Sequence, residues 1–568
     1  MSPMLRFVSL DPTPAITGTL PGAYLVGKDN VAITGEVTLR DGIVVCEKGT
    51  SEAAAIAVQL DLNQERLDQL GSDTTIEGVE LKPLGTWTLQ TCLLPQRENP
   101  YLLVLELARH RIMLCLTKLE DWQSIESSEG TLPMRLLSAA QSVFVQALVH
   151  APDSIKPDSD AAKLALRALW IALEASERLA LFQAQSDFPV RVNGEMYESI
   201  DTEQTDPSRR KPILHPTRGG VVLPLKPAVG TVVSPHVYAP MTQDAITRSC
   251  DFITVPMRWI EMEPAEGEYD YTRTDRWIEW AIREAKIPIV AGPLIDFRSA
   301  SVPDWLYIWE NDYETLRELV YEHIKTLVTR YRRTVTRWTV SSGLHCGEHF
   351  KLSFEQMMDL TRICVLVTRK LHPRAKIQVE ITQPWGEYHT HDRSSLPPLL
   401  YAEMLSQAGI QIDAFSLRMQ MGSYRPGLQT RDLLAFSSML DQYAMLDRPI
   451  TISSFGVPSS KIAPRDELPN WPSAGQWRQP WSESAQADWL SAYGAVALSK
   501  PYIESICWHE LADTSGSTDM RTGGLMDIKG LARPALDRLT ELRTAITESK
   551  LPQSWSADAF LSSPSVPS

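Results

Sequence analysis

Positive charge is what this chain of 568 residues has too little of: 55 Lys and Arg stand against 70 Asp and Glu, a formal net charge of -15. That balance argues against a nucleic-acid backbone or an anionic membrane as the main partner, because an acidic surface repels both. A neutral ligand such as carbohydrate stays compatible. Cysteine is sparse as well. The seven residues Cys46, Cys92, Cys115, Cys250, Cys346, Cys364 and Cys507 show no short pair spacing, and most lie in apolar runs where a thiol behaves as a small hydrophobe. Their odd number and dispersal point to a reducing compartment and no zinc site. No hydrophobic run has the length and purity of a membrane span. The start MSPMLRFVSLDPTPA lacks a basic segment followed by an apolar core, so a cytoplasmic location is the default expectation, export by another route being the alternative. Repeats of fixed period are absent too. What is present is an ordinary globular composition, 43% hydrophobic and 22% charged, with length for about two to four domains.

Taken in order, residues 1–120 read as strands. Alternating or β-branched runs recur at 31–39, 43–46, 53–60, 87–94 and 101–107, separated by Gly, Asn, Asp and Pro turns. A β-sandwich-like domain is the expected solution, packed against the rest of the chain or binding carbohydrate. Residues 121–190 change to helical spacing (Leu136, Ala139, Val143, Ala147, then an Ala/Leu/Glu-rich run over 160–184) and are expected to form a helical bracket. Residues 191–227 are polar and read as a linker, and 549–568 as a Ser/Pro-rich disordered tail.

The stretch 228–548 can be counted. Apolar strands are expected at 228–234, 252–259, 287–295, 335–341, 377–382, 412–419, 450–455 and 503–508, alternating with amphipathic helices at 242–249, 274–285, 313–331, 353–371, 396–408, 430–443, 484–499 and 534–546. Strands apolar on both faces and separated by helices belong to a parallel sheet, and eight such units make a (β/α)8 barrel. The whole is a multidomain α/β protein with a C-terminal TIM barrel. Its ligand is expected at the C-terminal ends of the strands.

Those strand ends carry the candidate residues. Arg258 follows a buried run and needs a carboxylate or a ligand as partner, Glu263 and Glu510 being the candidates. Asp296 and Trp305 share the loop after the third strand. Strand four ends in Ser341, Ser342 and Gly343 and leads to His345, Glu348 and His349. The two histidines are four apart, but Gly347 interrupts them and no third ligand has useful spacing, so no metal and no cofactor are expected. Glu380 lies on a face of strand five that is buried either way, where an unpaired charge is costly. The loop after it brings Trp385 and Glu387 together, a ring beside a carboxylate as in sugar stacking. Arg418 and Gln420 share one parity at the end of strand six, Trp508 and Glu510 one parity at the end of strand eight. Ser453 and Ser454 end strand seven without an assignable base.

The region 228–545 resembles the catalytic domain of glycoside hydrolase family 10, the fold of endo-β-1,4-xylanases. VPMRWIEMEPAEGEYDY, IPIVAGPLIDF with VPDW, IQIDAFSLRMQ, RPITISSFGVP, and ICWHELAD with GGLMDIKGLARPAL match its segments in order. The resemblance implies that Arg258 keeps a cationic position and Trp508 the closing aromatic. It also implies that Gly343 stands where the family has its acid/base Glu, Ser342 where it has Asn, and Ser454 where it has its nucleophile. Pro293 replaces a sugar-binding His, and Arg418 and Gln420 replace Gln and His. Retaining hydrolysis needs two carboxyl groups about 5–5.5 Å apart and inversion about 6.5–9.5 Å; Gly343 and Ser454 supply neither. Three expectations follow, the first two being a divergent glycoside hydrolase acting on a poly- or oligosaccharide with a relocated pair drawn from Glu348, Glu380, Glu387 and Glu510, and a non-catalytic glycan-binding or scaffold protein. Other small-molecule chemistry on the barrel is the third.

Overall fold

The computed structural model describes residues 4–10, 18–71, 74–122, 130–151, 156–157, 159–194, 217–218, 221–222, 226–392, 394–461, 472–514, 520–552, 555 and 560–561. Most of the expected linker therefore lies outside the described residues.

Eight parallel strands close on themselves. They are β1 (Ala228–Val232), β2 (Phe252–Val255), β3 (Ile289–Ala291, resumed at Ile295–Asp296), β4 (Arg337–Ser342), β5 (Lys376–Ile381), β6 (Ala414–Gln420), β7 (Ile450–Gly456) and β8 (Ile503–Trp508). β8 pairs with β1 from Ala228↔Ser505 to Thr231↔Trp508, which closes the barrel. Two spans differ from expectation. Strand two stops at Val255, and Trp259 opens a one-turn helix to Met262 instead. The third strand breaks at Gly292-Pro293, since Pro293 has no N–H to give the ladder. At Gly292 φ is +118° and a Cβ would meet the Thr339 carbonyl oxygen at 2.3 Å, so only glycine fits.

Helices cover the barrel where the apolar spacing placed them, and their ends follow from capping chemistry. Ser353 and Gln356 form a reciprocal box ahead of Phe354–Leu371. Asp432 caps Leu433–Ala444, and Ser482 caps Glu483–Ser499.

The N-terminal region contains two five-stranded sheets. One places Tyr101–Leu102, Met4–Val8, Ile43–Lys48, Gly35–Arg40 and Gly18–Thr19 side by side. The other runs Gln476–Trp477, Gly85–Gln90, Ala55–Leu62, Tyr24–Val26 and Ala32–Ile33, so its edge is lent by a barrel loop. The strand expected over 101–107 is only two residues long. Leu103 opens helix α1 (Leu103–Asp121), because Leu, Glu, Ala and Arg are strong helix formers and a short alternating start does not outweigh them. Helices α2 (Leu132–His150) and α3 (Asp160–Val192) follow. By length and composition α2 could cross a membrane, contrary to the expectation that no segment reaches that purity; it lays Leu136, Leu137, Ala140 and Ala147 into the core and leaves Val145 and Val149 exposed. In the tail, expected to be disordered, Leu551, Trp555, Phe560 and Leu561 are buried. Trp555 donates to Glu541.

Candidate functional site

The barrel interior is only partly filled by large apolar side chains, Val232, Phe252 and Val290 packing with Cys507 on one side. Thr254, Thr339, Gln378, Glu380, Thr451, Ser453, Ser505 and Cys507 face inward and leave a cavity of about 490 Å³. At its base Glu504 pairs with Arg337 and, at 3.2 Å, with Lys376. Burial pushes the Glu504 carboxyl up, but the two cations outweigh it and hold it below its usual range. Above, the Gln378 amide donates to Thr339 at 2.9 Å and accepts from Thr451 at 3.1 Å.

At the mouth the strand register brings the polar groups to one level. Asp296 is paired with Ser342, Ser342 with Glu380, and Glu380 with Ser416. Glu380 is 2% exposed; Ser342 donates to it at 2.6 Å, Ser453 donates to its other oxygen, and the Arg418 guanidinium stands 3.9 Å away. Asp296 holds Arg298 and accepts from Ser301 at 2.8 Å. Burial opposes its charge, yet Arg298 and these hydrogen bonds keep the carboxyl below its usual range. Arg258 also lines the mouth, where its partner is Glu261 at 3.4 Å, not Glu263 or Glu510. Glu263 shapes its own loop: Trp259 Nε1 and the Gly267 N–H donate to it at 2.8 and 2.9 Å, with His323 at 3.1 Å.

The other sequence candidates lie away from this cavity. Glu348 is exposed beyond the end of β4 and is not among the lining residues. Glu387 is bound by Arg431, which also reaches the Tyr24 hydroxyl at 3.2 Å and lies 5.0 Å from the ring of Trp385; this is a junction with the N-terminal region. Glu510 is buried and accepts from Ser234 at 3.1 Å. Trp305 donates to the Glu263 carbonyl at 3.1 Å and meets Trp259 edge-on. Gln420 is buried, with its amide 3.5 Å from the His509 carbonyl. Trp508 is not a pocket floor: it packs between Phe455 and Trp489 and donates to the Gly523 carbonyl at 2.9 Å. The inward face of β8 is Ser505, Cys507 and then His509, since a ring as large as Trp fits the helix-covered side.

Of the four candidate carboxylates, then, the cavity gathers only Glu380. Three further features escaped the sequence reading: Arg298 with Ser301, the Arg337–Lys376–Glu504 cluster, and a contact of 3.1 Å between Ser454 Oγ and His509 Nδ1. The small polar parity of β8 is the signal that points to His509. His345 is a packed residue, its Nε2 3.0 Å from the Thr382 carbonyl and its ring stacked on Tyr401; burial pushes its imidazole down to about 4 against that carbonyl. Among the described residues no group of three His, Cys, Asp or Glu side chains is placed to hold a metal.

The sequence profile of glycosyl hydrolase family 10 matches residues 225–514. Endo-1,4-beta-xylanase A of Xylanibacter ruminicola is 23% identical over 219 residues, 35% of this chain and 56% of its own length. The chain thus spans about half the length of that relative. Among solved structures, native xylanase 10B from Thermotoga maritima shares 16% identity over 57% of this chain and 97% of its own, with a TM-score of 0.43. The family 10 structure from Paenibacillus barcinonensis shares 18% over 58% and 96%, with a TM-score of 0.40.

Proposed function

The chain belongs to glycosyl hydrolase family 10, and from that premise we propose that the mouth of its barrel binds a poly- or oligosaccharide without cutting it by a pair of carboxylates. One observation carries this reading: every carboxylate on the cavity wall is already engaged. Asp251 holds Arg543 at 2.7 Å, Asp296 holds Arg298, Glu504 holds Arg337 and Lys376, and Glu380 takes Ser342 and Ser453 with Arg418 near. A general acid needs a carboxyl kept protonated, and a nucleophile or base needs one open to the sugar. The partners of these wall carboxylates occupy the second, and for Asp296 and Glu504, held below the usual carboxylate range by their cations, they also work against the first. The ends of β4 and β7 carry Ser342, Gly343 and Ser454, none of which can act as a carboxylate. Arg258, Arg418, Ser453 and His509 line the same cavity and carry donor or acceptor atoms of the kind that hydrogen-bond sugar hydroxyls.

A second reading has its own support. Glu380 and Asp296 both face the mouth from strands separated only by β4, so an inverting pair acting across a water is the hydrolytic alternative. Calorimetric titration with β-1,4-linked xylo-oligosaccharides, alongside long-incubation assays for new reducing ends, separates the two. Saturable binding with no new reducing ends is expected. Cleavage that disappears in Glu380→Gln establishes the relocated pair instead, and absence of binding across a glycan array removes both.

A further inference from the structure

We propose that Ser454 and His509 are a nucleophile and its base, and that they cleave a short O-acyl ester bound in the barrel mouth. Ser454 Oγ lies 3.1 Å from His509 Nδ1, within hydrogen-bond reach, and both residues line the same cavity. Ser454 is 3% exposed on β7, and His509 directly follows β8, its N–H bound to the Phe455 carbonyl at 2.9 Å. Adjacent strands of a closed barrel therefore hold the pair, which gives it the fixed geometry that nucleophilic catalysis needs. Arg418 is the register partner of Ser454 on β6 and also lines the cavity. That puts a cation beside the nucleophile, where charge on a carbonyl oxygen would develop.

The steps balance without a further reagent. With the imidazole proton on Nε2, Nδ1 takes the Ser454 proton as Oγ bonds to the ester carbonyl carbon and the carbonyl electron pair moves to oxygen beside Arg418. Collapse breaks the ester C–O bond, and His509 returns the proton to the departing alkoxide. Water, deprotonated by the same nitrogen, then releases the acid and restores Ser454. A cavity of about 490 Å³ is of the size that takes one acylated monosaccharide unit. That the alcohol is a sugar rests on the carbohydrate reading above; the ester chemistry does not.

The full-length protein is treated with a fluorophosphonate probe, its labelled peptide mapped, and its turnover of p-nitrophenyl acetate and of an acetylated monosaccharide measured. Label on Ser454 is expected, absent from heat-denatured protein. Turnover is expected to vanish in Ser454→Ala and to fall at least about a hundredfold in His509→Gln, the contribution of a positioned base. No label at Ser454 in the native protein, or equal turnover in Ser454→Ala, overturns the proposal. Mapping the label on the unmutated chain decides the matter even if a variant does not fold. Label and turnover without affinity for xylo-oligosaccharides would leave the esterase standing and remove the glycan reading; affinity without label does the reverse.

Discussion

Two hydroxyl donors, Ser342 and Ser453, and the Arg418 guanidinium 3.9 Å away converge on Glu380, whose carboxylate keeps them in place at the mouth. Replacing it with Gln keeps the shape but removes the charge and turns one acceptor into a donor facing donors. Hydrogen bonds to a charged group contribute about 1.5–3 kcal/mol each way of counting, so Glu380→Gln should lower the unfolding free energy by about that much in urea melts. An unchanged midpoint would mean the carboxylate is not the hub described. Gly343 sets a second limit. Its φ is +63° and a Cβ there would stand 3.1 Å from the Thr382 hydroxyl. Gly343→Glu should therefore cost about 1–2 kcal/mol from the left-handed backbone alone and be less stable than the parent by equilibrium unfolding. Sequence reading reached Glu380 because a charge on a doubly buried strand is visible as parity. It missed His509 because Trp508 looked like the site aromatic, and a one-residue choice of parity exchanges every inward side chain of β8. Glu348 and Glu387 stand on loops, and whether a loop side chain turns to the cavity or to another region is decided by partners remote in sequence, such as Arg431 and Tyr24 for Glu387.

At the level of elements, the barrel was readable because each strand is a short apolar run bounded by amphipathic helices of consistent length. The strand break at Gly292-Pro293 and the helix beginning at Leu103 were less so, since each turns on a local contest between propensity and pattern. Helix α3 shows what periodicity cannot convey: its buried face carries Glu174, Glu177, Arg178 and Arg191 as well as Ala and Leu. Glu177 accepts from the Leu433 N–H at 2.7 Å and Trp477 Nε1 at 2.8 Å. Burial, joined by Asp432 and opposed by Arg478, pushes its carboxyl up from 4.5 to about 7. A carboxyl with a raised folded value binds its proton more tightly folded than unfolded, so stability falls as pH rises from about 4.5 to about 7. The loss is on the order of 3 kcal/mol. Glu174, Asp296, Asp432 and Glu504 are held low by cations and work the other way, their contribution being lost as acid protonates them. Burial holds the His110 and His345 imidazoles down to about 4, so they add stability as pH rises towards 6.5 and oppose Glu177. In urea melts from pH 5 to 8 it is therefore the stability of wild type relative to Glu177→Gln that should fall with rising pH. Parallel curves for the two proteins would remove Glu177 as the cause.

For the whole molecule, the question is whether the N-terminal region is an attached module or part of the barrel's own support. One hydrophobic core runs through both, and the crossing contacts are buried and charged. Arg111 of α1 grips Asp432 at 2.6 and 2.7 Å, with both side chains almost fully buried. Asp432 in turn accepts from the Leu434 and Ala435 N–H groups and so starts the helix after β6. Burial opposes the Asp432 charge, and Arg111 overcomes it. Removing Arg111 leaves a buried carboxylate without its counterion, a loss of about 3–5 kcal/mol. Asp432→Ala should cost a similar amount, leaving Arg111 unpaired and the helix uncapped. The double variant should lose clearly less than the two losses added, because contacting partners are not independent. Calorimetry distinguishes the two architectures: a loosely attached module predicts that Arg111→Ala lowers one of two transitions and spares the barrel, whereas a shared core predicts a single transition that moves as a unit. By the same reasoning a barrel cut free at residue 226 would expose the faces of Leu433–Ala444 and Glu483–Ser499 that α3 now covers and lose the edge strand pairing of Gly85 with Trp477. It should aggregate on refolding, and adding the N-terminal region in trans should restore soluble protein.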